Sequence, residues 1–257
     1  MNVIFAAALT AIGLFGGILV LLETGRRIGV RRAARDGEGA RAGTGAVEGA
    51  VFGLMGLLIA FTFSGAASRF DARRQLVTEE ANNIGTAWLR LDLLPTGSQP
   101  ALRASFRRYV DARLEVYQTL PDLEGAMAAL GRANALQGEI WSQAVAACKE
   151  GPPSAGMLLL PALNQVIDIT TTRTMAAKTH PPIIIFAMLV ALTLISALLA
   201  GYGMAAAKTR SWVHMLGFAF VMAAAVYIIL DLEHPRMGLI NIHAADQVLV
   251  DLRQSMK

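Results

Sequence analysis

Two groups of residues could carry chemistry. His180 stands just before one long apolar run, and Asp231, Glu233 and His234 stand just after another. If every apolar run crosses a membrane, both groups lie on the same side. Carboxylates and imidazoles meeting there would suit an ion or metal, since hard cations take oxygen ligands and transition metals take imidazole. The same residues equally suit helix ends anchored among lipid headgroups, and which metal would bind is left open. Glu79 and Glu80 follow Arg73 and Arg74 at spacings that allow an acid/base cluster, although such charges more often sit exposed on a helix. No H-E-x-x-H, G-x-S-x-G, paired C-x-x-C or dinucleotide fingerprint occurs, so an enzyme has little to stand on and no cofactor is expected. The lone Cys148, flanked by Ala146 and Ala147, cannot form an internal disulfide and reads as a small, inward-facing helix residue.

The second group acts physically rather than by bond-making. At about 100° per residue, Phe52, Gly56, Ile59, Phe63 and Phe70 fall in one narrow stripe flanked by Thr62 and Ser64. In a single copy such a stripe is packing or lipid contact. In several copies arranged as a ring it would be a dry constriction that gates ions by dewetting.

The elements that must position these groups are long apolar runs, from about Val3 to Leu22, Val51 to Ala67, Ile183 to Gly203 and Trp212 to Leu230. Each is about the length a helix needs to cross roughly 30 Å of hydrocarbon. Inside lipid every backbone N–H and C=O must pair within its own segment, so the runs are expected to be helices. Apolar residues make up 54% of the chain and charged residues 16%, and the mean hydropathy is +0.48. The charge of +4 comes from scattered or membrane-flanking residues, with no basic stripe carrying interleaved aromatics, so nucleic-acid binding is excluded. Few charges fall within the runs: Glu48 and Asp231 sit near ends, and His214 near the start of the last run suits an interfacial or helix–helix hydrogen bond. A proton-coupled transporter normally keeps an ionisable group at mid-membrane, so that class loses weight.

The first run precedes its positive charges and is too long for a cleaved signal, so it reads as a retained anchor. Arg26, Arg27, Arg31, Arg32, Arg35 and Arg41 oppose Glu23, Asp36 and Glu38 in the link that follows, and Lys208 and Arg210 occupy the link after the third run. The positive-inside tendency leans toward cytoplasmic links, with the termini and polar middle outside. Arg69, Arg73, Arg74, Arg173, Lys178 and Arg236 pull the other way. Gly37, Gly39, Gly43 and Gly45 suggest that the first link is a mobile loop. Gly13 with Gly17, and Gly53 with Gly56, would let helices approach closely.

Between the second and third runs the spacing predicts helices only. Phe70, Val77, Ala81, Ile84, Trp88 and Leu91 continue the second run as one long helix, ending near Leu94-Pro95. Leu102, Phe106, Tyr109, Val110, Leu114 and Tyr117 mark the next helix, capped near Ser98 with Pro100 in its first turn. Asp122 is expected to cap a third helix running towards Cys148. A fourth follows the turn at Gly151-Pro152-Pro153, with Leu160, Leu163, Val166 and Ile167 inward and with Asp168 and Arg173 holding it to its neighbours. The expectation is an all-α integral membrane protein. Its helix pairs would lie in residues 1–67 and 182–232, its helical extramembrane domain in 68–181 and its tail in 233–257.

Several strings carry a resemblance. Leu58-Ile59-Ala60-Phe61-Thr62-Phe63-Ser64 leads to Arg69-Phe70-Asp71-Ala72-Arg73-Arg74 and Glu79-Glu80-Ala81, then to Gly85-Thr86-Ala87-Trp88-Leu89-Arg90, Leu93-Leu94-Pro95 and Arg108-Tyr109-Val110. Asn164, Asp168 and Arg173 come later, and Asp231-Leu232-Glu233-His234-Pro235-Arg236-Met237-Gly238 closes the pattern. Over nearly its whole length the chain resembles the bestrophin-like bacterial membrane proteins. The family usually carries an aromatic residue after that Pro, where Arg236 stands here. The resemblance implies a pentameric ion channel whose second helix lines the pore, with Phe52, Ile59 and Phe63 on its face and the helix from Arg69 to Leu94 around a vestibule; the stripe itself extends the candidate pore face to Phe70. It also implies that the first link lies outside, opposite to the lean of the charges. The expected partners are the lipid bilayer, inorganic ions and further copies of the chain, in a cell (inner) membrane. The alternative is a non-conducting protein whose helical domain binds a partner or senses a ligand.

Overall fold

A computed structural model describes residues 3–36, 44–207 and 209–257. The expectations attached to Gly37, Glu38, Gly39, Arg41, Gly43 and Lys208 lie outside the described residues. The regular structure described is helical throughout: α1 Val3–Asp36, α2 Thr44–Arg90, α3 Gln99–Gln118, α4 Leu123–Glu150, α5 Pro153–Lys178, α6 Ile183–Met204, α7 Trp212–Leu232 and α8 His243–Ser255. Among the described residues, four helical stretches are long and apolar enough to cross a membrane. Two compact units form, Met1–Ser68 with His180–His234 and Arg69–Thr179 with Pro235–Lys257.

In the first unit α1 packs against both α6 and α7. Leu14, Ile18 and Leu22 of α1, Leu189 and Ala197 of α6, and Met215, Ala219 and Val226 of α7 are buried there. The glycines that permit the closest approach are not those singled out by spacing. Gly13, Gly53 and Gly56 face open space, and Gly17 meets only the tip of Leu194. Gly25 and Gly29 of α1 instead lie on the backbone of α6, and Gly201 of α6 lies on the backbone of α1. A Cβ on Gly25 would stand 2.9 Å from the Leu198–Tyr202 stretch at the Tyr202 nitrogen, and one on Gly201 would stand 2.7 Å from the Leu22 carbonyl carbon. Within lipid, where apolar side chains gain little by meeting one another, such backbone contact is what holds helices together.

Gly25 and Gly29 also bear on the first link. The arginines from Arg26 to Arg35 belong to α1, which continues as helix to Asp36 rather than ending near Leu22. Arg and Ala are strong helix formers and no Pro intervenes.

The second unit builds its core from α2 beyond Ser68 together with α3, α4, α5 and α8. Val77, Ala81, Ile84, Trp88 and Leu91 are buried together with Leu102, Phe106, Tyr109 and Val110, as their spacing predicts, while Leu114 and Tyr117 are partly buried. On α5, Leu163 and Val166 are buried and Leu160 is partly buried against the core, as expected, and Ile167 is half-buried, while Leu159 and Ile169 are buried as well. Asp122 caps α4 by accepting from the Glu124 N–H at 3.1 Å. Ser98 precedes α3 without a side-chain cap, and Pro100 occupies its first turn. The helix α2 ends in a 3-10 turn, Leu91–Leu93, before Pro95. From Thr44 to Arg90 it runs 47 residues unbroken, about 70 Å at 1.5 Å per residue. Residues 235–257 fold back on this unit: α8 buries Leu249, Arg253 pairs with Asp111 at 2.7 Å, and Arg107 donates to the Met256 carbonyl at 3.0 Å.

Gly201→Leu is expected to destabilise the protein by about 2 kcal/mol or more, because the added side chain meets backbone that cannot yield. Gly53→Leu, facing open space, is expected to have little effect. Thermal unfolding of the detergent-solubilised pair checks this, and equal midpoints would contradict it.

Candidate functional site

The stripe on α2 lies on the least covered of the apolar stretches. Only 11% of the α2 stretch is buried, against 33% for α7. Within the first unit Phe52 and Ile59 are half-buried and Phe63 is 46% exposed. The most exposed large side chains of the span, Leu54, Leu57 and Phe61, lie on the other side of the helix. Thr62, beside the stripe, turns its hydroxyl back onto the Leu58 and Ile59 carbonyls and so offers its polar group to its own helix. Phe70 belongs to the second unit, half-buried, with the Arg74 guanidinium 5.9 Å from its ring centre.

At the ends of α6 and α7 the structure brings three of the four expected polar residues together. His180 Nδ1 lies 3.5 Å from Glu233 Oε2, and the His180 and His234 rings stack with centres 4.9 Å apart at 21°. Glu233 is buried. His234 Nδ1 faces the Leu230 carbonyl at 3.2 Å, which requires the proton on Nδ1 and leaves Nε2 as the acceptor of a neutral ring. Asp231 is also buried. Among the described residues no group of three or more His, Cys, Asp and Glu side chains is arranged to hold a metal ion. The arrangement is therefore an imidazole pair against one carboxylate. His214 pairs within its own first turn, to Ser211 at 2.5 Å, rather than with a neighbouring helix.

In the second unit Arg173 holds α5 to a neighbouring helix, as expected, through a buried carboxylate that the spacing had not singled out. Glu79 is exposed, whereas Glu80 is completely buried. Glu80 does not pair with Arg73 or Arg74. It accepts from Arg113 of α3 at 2.5 Å and from Arg173 of α5, so one carboxylate joins three helices. Arg73 instead turns to the end of α5, donating to the Ala176 and Thr179 carbonyls at 3.1 and 3.0 Å, and Arg74 pairs with Asp71 at the surface. Arg113 also donates to the Tyr117 hydroxyl. The guanidiniums of Arg173 and Arg236 each lie 4.2 Å from the centre of the Tyr117 ring. Arg236 is fixed there by a two-point pair with Asp246 at 2.7 and 2.9 Å. A flat guanidinium thus occupies the position where the family resemblance expects an aromatic ring.

Burial pushes the Tyr117 hydroxyl up to about 12, against the pull of Arg113 and Arg236. Burial, helped by the like charge of Arg236 and opposed by Asp246, lowers the Arg173 guanidinium to about 9, so it is cationic at neutral pH. Burial also raises the Cys148 thiol, which removes it further from nucleophilic use. Nearby, Gln137 of α4 donates to Tyr109 of α3 and Thr170 of α5 at 3.1 and 2.9 Å. Thr170 spends its proton on the Val166 carbonyl, so Tyr109 is the donor in their 3.0 Å contact.

The signal for the buried triad was present in the spacing. Arg113 falls four residues after Tyr109, and Glu80 three after Val77 and four before Ile84, so both interrupt apolar faces. A charge on a core face demands a partner.

Glu80→Gln is expected to cost about 3–5 kcal/mol, because two buried guanidiniums lose their shared counter-charge. Glu79→Gln is expected to stay within about 0.5 kcal/mol. Denaturant unfolding compares the two. Ultraviolet titration should show one tyrosine ionising well above the usual range, absent in Tyr117→Phe. Because the folded state holds this proton more tightly than an unfolded tyrosine of ordinary pKa about 10, stability should fall as pH rises from there towards about 12.

Comparison with known proteins agrees with this architecture. A crystallised variant of a bacterial bestrophin homologue from Klebsiella pneumoniae matches at TM-score 0.72 and 13% identity, over 96% of this chain and 97% of that one. A second variant matches at TM-score 0.68 and 13% identity, over 93% and 98%. No curated protein matches in sequence. The sequence pattern of the bestrophin-like domain matches residues 12–246, and the chain belongs to the bestrophin-like domain family.

Proposed function

We propose that the protein is a homo-oligomeric ion channel of the cell (inner) membrane, pentameric by analogy with bestrophins, conducting passively through a pore lined by α2. The observation that carries this reading is the scant cover on the apolar part of α2, of which 11% is buried. A span left bare by its own chain must meet lipid or further copies. With Phe52, Ile59 and Phe63 turned to a central axis, Leu54, Leu57 and Phe61 would face outward to lipid or to the next protomer. Rings of Phe and Ile would hold the path dry until it widens, and Phe70 would continue that face on the same helix beyond the span. His180, Glu233 and His234, with Asp231 nearby on the same helix end, would then form an ion site at a membrane end, working by charge.

Light scattering of the solubilised protein, corrected for detergent, is expected to give about five protomers, and the purified protein in vesicles is expected to pass ions. Phe63→Ala should raise basal flux about tenfold or more, since removing a ring of aromatic groups wets the constriction. A monomer or dimer without flux in either form would sink the channel and favour a non-conducting partner- or ligand-binding protein.

A further inference from the structure

The basic end of α1 has no part in the proposed pore. The helix has 34 residues, about 51 Å, against a hydrocarbon layer of about 30 Å. Its last turns carry Arg26, Arg27, Arg31, Arg32 and Arg35 and so reach headgroup level and beyond. Gly25 and Gly29 set its rotation, since both lie on α6. Arg27, Arg31 and Arg35 recur every four residues and therefore share one face. At about 100° per residue that face is turned away from the glycine contact. All three arginines are exposed, and exposed Val30 lies beside the row. Arg27 and Arg210 both approach Glu23 at 2.8 Å, so one carboxylate is shared by two guanidiniums. Trp212, 55% exposed at the start of α7, stands at this same end of the spans, as an aromatic at a membrane–water boundary does.

We infer that the Arg27–Arg31–Arg35 row is a binding surface for the phosphate headgroups of anionic phospholipids. A guanidinium pairs with phosphate through two parallel N–H donors, and a rigid helix holds the three at one-turn intervals across the headgroup layer. The glycine contact with α6 supplies the rigidity, and the neighbouring span keeps the row beside lipid. The inference does not depend on conduction.

The test uses the full chain in detergent, exposed in turn to phosphatidylglycerol, phosphatidylcholine and inorganic phosphate. Retained lipid is counted by mass spectrometry of the intact complex, and the unfolding midpoint is read alongside. Phosphatidylglycerol should be retained about fivefold over phosphatidylcholine, as expected for several arginines near an anionic surface. The triple change Arg27→Gln, Arg31→Gln and Arg35→Gln should bring that ratio near one. Arg31→Gln alone, which leaves Glu23 its partners, should lower the ratio partway and serves if the triple variant fails to fold. Equal retention of the two lipids, or an undiminished preference in a folded variant, overturns the inference. An equal midpoint shift from inorganic phosphate also overturns it, by identifying a site for free anions.

Discussion

Hydrocarbon offers no partner to a backbone amide, and the architecture follows from that constraint. Each segment that crosses must satisfy its own N–H and C=O groups, so it is a helix. Helices in lipid gain little by burying Leu against Leu, so they associate where backbones can touch. The α1–α6 contact has that form: Gly25, Gly29 and Gly201 put each helix on the other's main chain. Closeness there also sets the rotation of α1 and so decides which way its arginines point.

In the second unit the balance changes, because charge organises the core. Glu80 is the pivot of the second unit. Burying one carboxylate with two guanidiniums carries a large desolvation cost, recovered only when the geometry supplies counter-charge and hydrogen bonds together. Arg113 and Arg173 supply both from different helices. Tyr117 then carries two further cationic contacts on its ring faces, and Asp246 holds Arg236 in place. The triad contributes to which arrangement of α2, α3 and α5 is adopted, whereas Val77, Ile84, Phe106 and Val110 contribute the apolar burial that drives their association.

The helix α2 carries both regimes. Its first half is apolar and nearly uncovered, and its second half buries one face in a conventional core. The absence of Pro and the continuous spacing from Val51 to Leu91 let the helix run without a break.

The sequence by itself determined the membrane class, the all-helical fold, the extent of the long α2 and the buried faces of α2 and α3. Those features depend on local periodicity and on the length of apolar runs, and both are properties of neighbouring residues. Family membership was legible too, from ordered strings such as those around Phe63, Trp88 and His234. Tertiary structure alone decided the rest. It chose Gly25, Gly29 and Gly201 over Gly13, Gly53 and Gly56 for close contact, because which glycine meets a neighbour depends on how two distant segments cross. It buried Glu80 and exposed Glu79, since a carboxylate can enter a core only where remote guanidiniums arrive to meet it. It stacked His180 on His234 beside Glu233, residues more than fifty positions apart, because α6 begins where α7 ends.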